Sequence, residues 1–186
     1  MNKVLETIRM RRSCRSYDKT KSVKKEDLEA IMKAAVQAPT AMNTRAWHFA
    51  VVSNEGALKK LNEVVRGVVD EATRKRIEGR SEGGVFNFFY NAPILIIVSC
   101  SDSSPYPAAD CACALENMFL AATSLGLGTC WINQLTNISF EGEVRRLLKE
   151  FGVPDSNKVY GCCALGYAAR QSEQKEFSLG SVNFVE

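Results

Sequence analysis

Apolar and polar positions follow one another along this chain in two rhythms, and the switches between them mark out its elements. Over residues 2–12 apolar side chains recur at Val4, Leu5 and Ile8, the spacing of one helix face. Basic residues follow at the C-terminal end, where cations suit the helix dipole. A second helical pattern covers residues 24–37, with Leu28, Ile31, Ala34, Ala35 and Ala38 near one face and Glu26 and Asp27 in its first turn. Pro39 closes it, because the residue before a proline avoids the helical region. Between these helices the stretch 12–21 is polar and irregular. Residues 47–53 form a short apolar, β-branched run that predicts a strand. A helix follows over 57–69. Residues 70–91 turn from charged to glycine-rich (Gly79, Gly83, Gly84) to aromatic (Phe86, Phe88, Phe89, Tyr90). They predict a partly helical excursion with a mobile loop.

The run 94–100 is apolar without interruption, as expected of a central strand covered on both faces. Residues 109–125 carry the strongest helical stripe: Leu115, Met118, Phe119, Ala122 and Leu125. Gly126 and Gly128 end it. A strand is expected at 129–134 and a helix at 141–151, stopped by Gly152 and Pro154. A core strand follows at 158–165. Residues 181–185 alternate weakly and suggest a last edge strand. Four interior strands and about five helices, without an internal repeat, describe one domain over 1–186 in which a sheet is flanked by helices.

Composition narrows the function classes. The net charge of +3 and pI near 8.5 are too mild for a nucleic-acid footprint, although Arg9–Arg12 and Arg74–Arg80 are local basic clusters. The longest apolar run, Ala92–Cys100, falls far short of the roughly 20 residues of a bilayer helix. The N-terminus mixes charge into its first turn, so no secretory signal and no membrane are expected. The seven cysteines contain no Cys-x-x-Cys pair and no histidine at metal spacing. They read as small buried hydrophobes in a reducing cytoplasm, a redox-active thiol being the alternative. Cys162 and Cys163, adjacent in a strand, would face opposite sides.

Two glycine patterns carry no nucleotide signal. Leu125-Gly-Leu-Gly-Thr-Cys130 follows a helix and precedes a strand, the reverse of a dinucleotide fingerprint. Gly79–Gly84 lacks the Gly-Lys-Ser/Thr ending of a phosphate loop. The single histidine, His48, sits inside an apolar strand and reads as structural. Two segments hold more. Arg11-Arg12-Ser13-Cys14-Arg15-Ser16-Tyr17 places three arginines and two serine hydroxyls at a helix exit, a donor set suited to phosphate or a planar polar ring, or else a solvated basic helix end. Ala38–Trp47 is a small-residue turn in which Asn43 and Arg45 supply donors, or a plain connecting loop.

Taken together, these segments resemble the nitroreductase family of flavoproteins. The likeness runs through IRMRRSCRSYD (8–18), APTAMNTRAWHF (38–49), FYNAPILIIV (89–98), DCACALENMFLAATSLGLGTCWI (110–132) and LGY (165–167), in the family's order. It implies an α+β fold, a nitroreductase-like α/β sandwich with a mixed central sheet flanked by helices, in an intertwined homodimer. It implies FMN as cofactor, NADH or NADPH as electron donor, and a small-molecule acceptor such as a nitroaromatic or quinone. Arg11, Arg12, Ser13 and Arg15 match the segment that holds the FMN phosphate and the flavin's polar edge. Pro39, Thr40, Ala41, Met42, Asn43 and Arg45 match the segment that reaches FMN from the other subunit. Trp131, Ile132 and Asn133 match the segment packed along the flavin ring, with Gln134 where the family often has glycine. Lys175 matches the first of two C-terminal phosphate-binding bases; Phe177 stands at the second, and Arg170 is a substitute. Flavin chemistry needs no side-chain acid or base, and Arg15 is the expected partner for negative charge on reduced flavin. Phe86–Tyr90 is either a lid over the pocket or a core patch. Alternatives to the leading reading are a non-enzymatic FMN-binding or redox-sensing protein, and an FMN enzyme of the same fold with different chemistry, such as reductive dehalogenation.

Overall fold

A computed structural model describes residues 2–170 and 180–185. Among these residues six α-helices and four strands follow one another. They are α1 (Lys3–Met10), α2 (Lys25–Val36), β1 (Trp47–Val52), α3 (Glu55–Val68), α4 (Glu71–Glu78), β2 (Ile94–Ser101), α5 (Pro107–Ser124), β3 (Gly128–Ile132), α6 (Gly142–Glu150) and β4 (Asn157–Gly166). The strands stand in the order β1-β2-β4-β3, and every ladder is antiparallel. Among the described residues the parallel component of the expected mixed sheet is a single bridge, Ser13 to Thr129. The alternation of strand and helix does not yield parallel pairs, because β4 inserts between β2 and β3.

The central strands β2 and β4 are buried on both faces over Ile94–Cys100 and Gly161–Gly166, which is why those stretches are almost wholly apolar. On one face Leu95, Ile97, Cys162 and Ala164 pack with α3 (Leu58, Leu61, Val65) and α6 (Val144, Leu147, Leu148). On the other, Ile96, Val98, Cys163 and Leu165 pack with Ile31 and Ala35 of α2 and Leu115, Met118 and Phe119 of α5. Cys162 and Cys163 divide between the two faces as strand geometry requires.

Three segments refine the sequence reading. Phe86, Phe88, Phe89 and Tyr90 are all buried in the first core. Asn62 pins them: its Nδ2 donates to the Phe86 carbonyl at 3.0 Å, and its Oδ1 accepts the Phe88 N–H at 3.2 Å. The aromatic stretch is therefore core rather than lid. Residues 181–185 form no strand, correcting the expected edge strand. Val182, Phe184 and Val185 stand exposed there, and weak alternation without a neighbouring strand offers no ladder to join. Helix α1 does have the expected apolar face, but Val4, Leu5 and Ile8 are 50–62% exposed and none of its residues is buried. Among the described residues nothing buries that face.

Candidate functional site

The arginine segment leaves α1 and is lashed at once to β3. The Cys14 N–H donates to the Thr129 carbonyl at 2.7 Å, beside the Ser13–Thr129 bridge. Gly128 permits this approach, since a Cβ there would stand 2.8 Å from Cys14 Cβ and Sγ. Below it, the buried Tyr17 hydroxyl lies 3.0 Å from the Cys14 carbonyl and 3.2 Å from that of Ala164. The arginines then take different tasks. Arg12 turns back, its Nη1 donating at 2.7 Å to the carbonyls of Arg9 and Arg11, groups a helix end leaves unsatisfied. Arg11 Nε lies 3.7 Å from Glu116 Oε1 of α5. The Arg15 guanidinium stands 5.8 Å from the centre of the Tyr90 ring. Ser13 and Arg15 are exposed. Both Arg11 and Arg15 act electrostatically on Cys130 of β3, so their positive charge lies beside that strand.

At the end of β3, Ile132 is buried while Trp131 stands 38% exposed on the opposite face. The Trp131 indole N–H donates to Asn133 Oδ1 at 2.6 Å, and its ring tilts against Phe119 at 5.9 Å. With that oxygen occupied, the Asn133 amide keeps its N–H groups for another acceptor. The structure thus gathers Arg11, Ser13, Arg15, Trp131, Ile132 and Asn133 around β3. The next residue, Gln134, has a buried Oε1 with no partner among the described residues.

The Pro39–Arg45 segment stands apart. It leads into β1, the other edge of the sheet, about 14 Å from β3 at three strand spacings. Within it Met42, Asn43 and Arg45 hold φ of +52°, +54° and +47°, left-handed backbone that non-glycine residues rarely adopt. Met42 is 79% exposed. Lys175 and Phe177 lie outside the described residues.

A nitroreductase-family profile matches residues 8–167. The chain belongs to the nitroreductase family. Its fold superposes on a nitroreductase with bound FMN from Bacteroides fragilis with a TM-score of 0.90 and 44% identity, over 100% of both chains. It is 33% identical to a protein provisionally named NADH dehydrogenase/NAD(P)H nitroreductase from Archaeoglobus fulgidus, over 95% of this chain and 90% of that one. It is 28% identical to an iodotyrosine deiodinase from Thermotoga neapolitana, over 69% of this chain and 73% of that one.

In this nitroreductase-family chain the remaining candidate groups are quiet. His48 is half-buried in β1, its Nδ1 has no partner among the described residues, and burial lowers its pKa. Six of the seven cysteines are buried and all seven are free thiols; the exposed one is Cys113. Burial pushes the Cys14 and Cys130 thiols up, which opposes a reactive thiolate beside the arginines. Among the described residues no group of three or more His, Cys, Asp or Glu is placed to hold a metal, and no helix is long and apolar enough to cross a membrane. Sequence reasoning gave no role to Glu116, Thr129 and Asp110, which position the site's segments. An acid in the first turn of the apolar-rich α5 was the available signal for the last.

Proposed function

We propose that this chain is an FMN-dependent oxidoreductase that passes electrons from NADH or NADPH to a small organic acceptor, such as a nitroaromatic or quinone. The observation that carries this reading is the cluster at β3: exposed Ser13 and Arg15, with Arg11, stand beside the strand that ends in the half-exposed Trp131 and Asn133. The donor set fits FMN. Guanidinium and hydroxyl groups suit a phosphate dianion and the polar edge of a flavin. A half-exposed indole suits a planar ring. Bound flavin would supply hydride acceptance and onward electron transfer. The chain's own part is to bind, orient and tune. Arg15 brings positive charge to the flavin's polar edge, Arg11 and Ser13 hold phosphate, and Asn133 presents amide N–H groups. Donor and acceptor would use one pocket in turn. Arg12 would contribute through its hold on the α1 end, and Lys175 as an added phosphate contact.

The working unit in this reading is a homodimer, in a cytoplasm. The uncovered apolar face of α1 and the separation of Pro39–Arg45 from the arginine cluster support it: each chain carries two half-sites at opposite sheet edges, and a second copy brings them together. The likeness to an iodotyrosine deiodinase favours a second reading, reductive dehalogenation on the same cofactor. The test begins with the visible spectrum of the purified protein. Flavin absorbance, bleached anaerobically by NADH or NADPH and restored by nitroaromatics, quinones or haloaromatics, is expected. Colourless protein that takes up no FMN on reconstitution would refute the reading.

A further inference from the structure

Asp110, in the first turn of α5, is only 5% exposed, unlike Glu116 in the same helix. Its Oδ1 accepts the Ala41 N–H at 3.0 Å. Its Oδ2 is buried without a hydrogen-bond partner among the described residues. A carboxylate enclosed in this way is unfavourable unless its hydrogen bond and the positive end of the helix hold it in place.

The Ala41 N–H belongs to the segment that carries the three left-handed residues. The segment's other hydrogen bonds, among the described residues, are internal. Asn43 N–H donates to the Thr40 carbonyl at 3.0 Å and Thr44 N–H to the Ala41 carbonyl at 3.2 Å. Arg45 N–H donates to Thr40 Oγ1 at 3.1 Å, and Arg45 Nε to Asn43 Oδ1 at 3.1 Å. These bonds shape the segment but do not fix it to the fold. Asp110 does so, from a helix whose opposite faces are packed against α2 and the sheet.

We infer that Asp110 is a positioning residue for cofactor binding: it anchors the Thr40–Arg45 segment through Ala41, so that Met42, Asn43 and Arg45 are held in the shape that meets the flavin of a second copy. The inference rests on the functional reading above. Asp110 touches no cofactor itself. Its effect passes through one backbone N–H, so any acceptor oxygen at that point suffices and a side chain without one does not.

The test compares Asp110→Ala with Asp110→Asn in the full-length protein. Asparagine keeps an acceptor for Ala41; alanine removes it. The expected result for Asp110→Ala is loss of hydrogen-exchange protection at the Ala41 amide and an FMN dissociation constant raised tenfold or more, in line with loss of a charged hydrogen bond. Asp110→Asn is expected within about threefold of wild type on both readouts, because an acceptor for the Ala41 N–H is retained. Should the alanine variant not fold, Ala41→Pro removes the donor from the other side. Thr40 is extended (φ −132°, ψ 151°), as a residue before proline prefers, and position 41 opens a short helical turn where proline fits. It is expected to weaken FMN to the same degree. Retained Ala41 protection in Asp110→Ala, or unchanged FMN affinity in the variants that fold, would overturn the inference. Wild-type protein that binds no FMN would instead sink the functional reading, and Ala41 exchange would then judge the anchor alone.

Discussion

Adding one methyl group at position 161 probes the link between core packing and the candidate site. Gly161 lies in β4, and a Cβ there would stand 2.8 Å from Leu115 Cδ1, 2.9 Å from Trp131 Nε1 and 3.1 Å from Trp131 Cε2. Ordinary carbon contacts fall at about 3.5–4.0 Å, so these neighbours must give by most of an ångström. Leu115 is fully buried and has nowhere to go, whereas Trp131 is 38% exposed and can swing outward. Overpacking of this kind costs about 1–3 kcal/mol. Displacing the indole also costs its hydrogen bond to Asn133, about 1 kcal/mol. Gly161→Ala is therefore expected to lose about 2–4 kcal/mol of stability, summing those two contributions. Urea unfolding followed by far-ultraviolet circular dichroism measures it, with an FMN titration beside it. FMN affinity should fall as well, because Trp131 and Asn133 move together. Leu115→Ala separates the causes. Alone it opens a cavity and costs about 2–5 kcal/mol, but in the Gly161→Ala background the methyl fills part of that space. The double variant should then be more stable than additivity requires by about 1 kcal/mol or more. Gly161→Ala within about 0.5 kcal/mol of wild type, and additive with Leu115→Ala, would refute the packing argument.

Phe88 is fully buried, so Phe88→Ala is expected to cost about 3–5 kcal/mol in urea unfolding while leaving acceptor preference unchanged; a changed preference at unaltered stability would restore the lid reading. Asp18 is held at a pKa of about 2, first by the Thr20 hydroxyl and then by the Thr20 N–H and Lys21. Its folded pKa lies below the ordinary value, so its contribution is present above about pH 4 and disappears as pH falls towards 2. Asp18→Asn should be less stable than wild type near pH 6, and the difference should close in acid; a gap that widens in acid would contradict this. Thiol titration of the folded protein should find no more than one reactive cysteine per chain, Cys113, and all seven after unfolding. Rapid modification of Cys14 or Cys130 would revive the redox-thiol alternative.

Much of the fold is written locally. The spacing of Val4, Leu5 and Ile8, the stripe Leu115–Leu125 and the run 94–100 are short-range patterns that report helix or strand directly, and each element lies within a few residues of its expected place. The arginine segment was legible because charge and hydroxyls concentrate within seven residues. What the sequence leaves open is non-local. Whether β4 stands beside β2 depends on pairing across more than sixty residues, for example Ile97 with Cys162. Alternation along the chain says nothing about strand order. Burial is non-local too: Phe86–Tyr90 becomes core because Asn62 and the α3 face receive it, while the apolar face of α1 stays unburied among the described residues. The division of the candidate site follows from the same fact. Composition singled out Arg11–Arg15 and family resemblance added Pro39–Arg45, but only the sheet order shows that they adjoin opposite edge strands. Only the packing of α5 shows that a buried aspartate ties down the second of them.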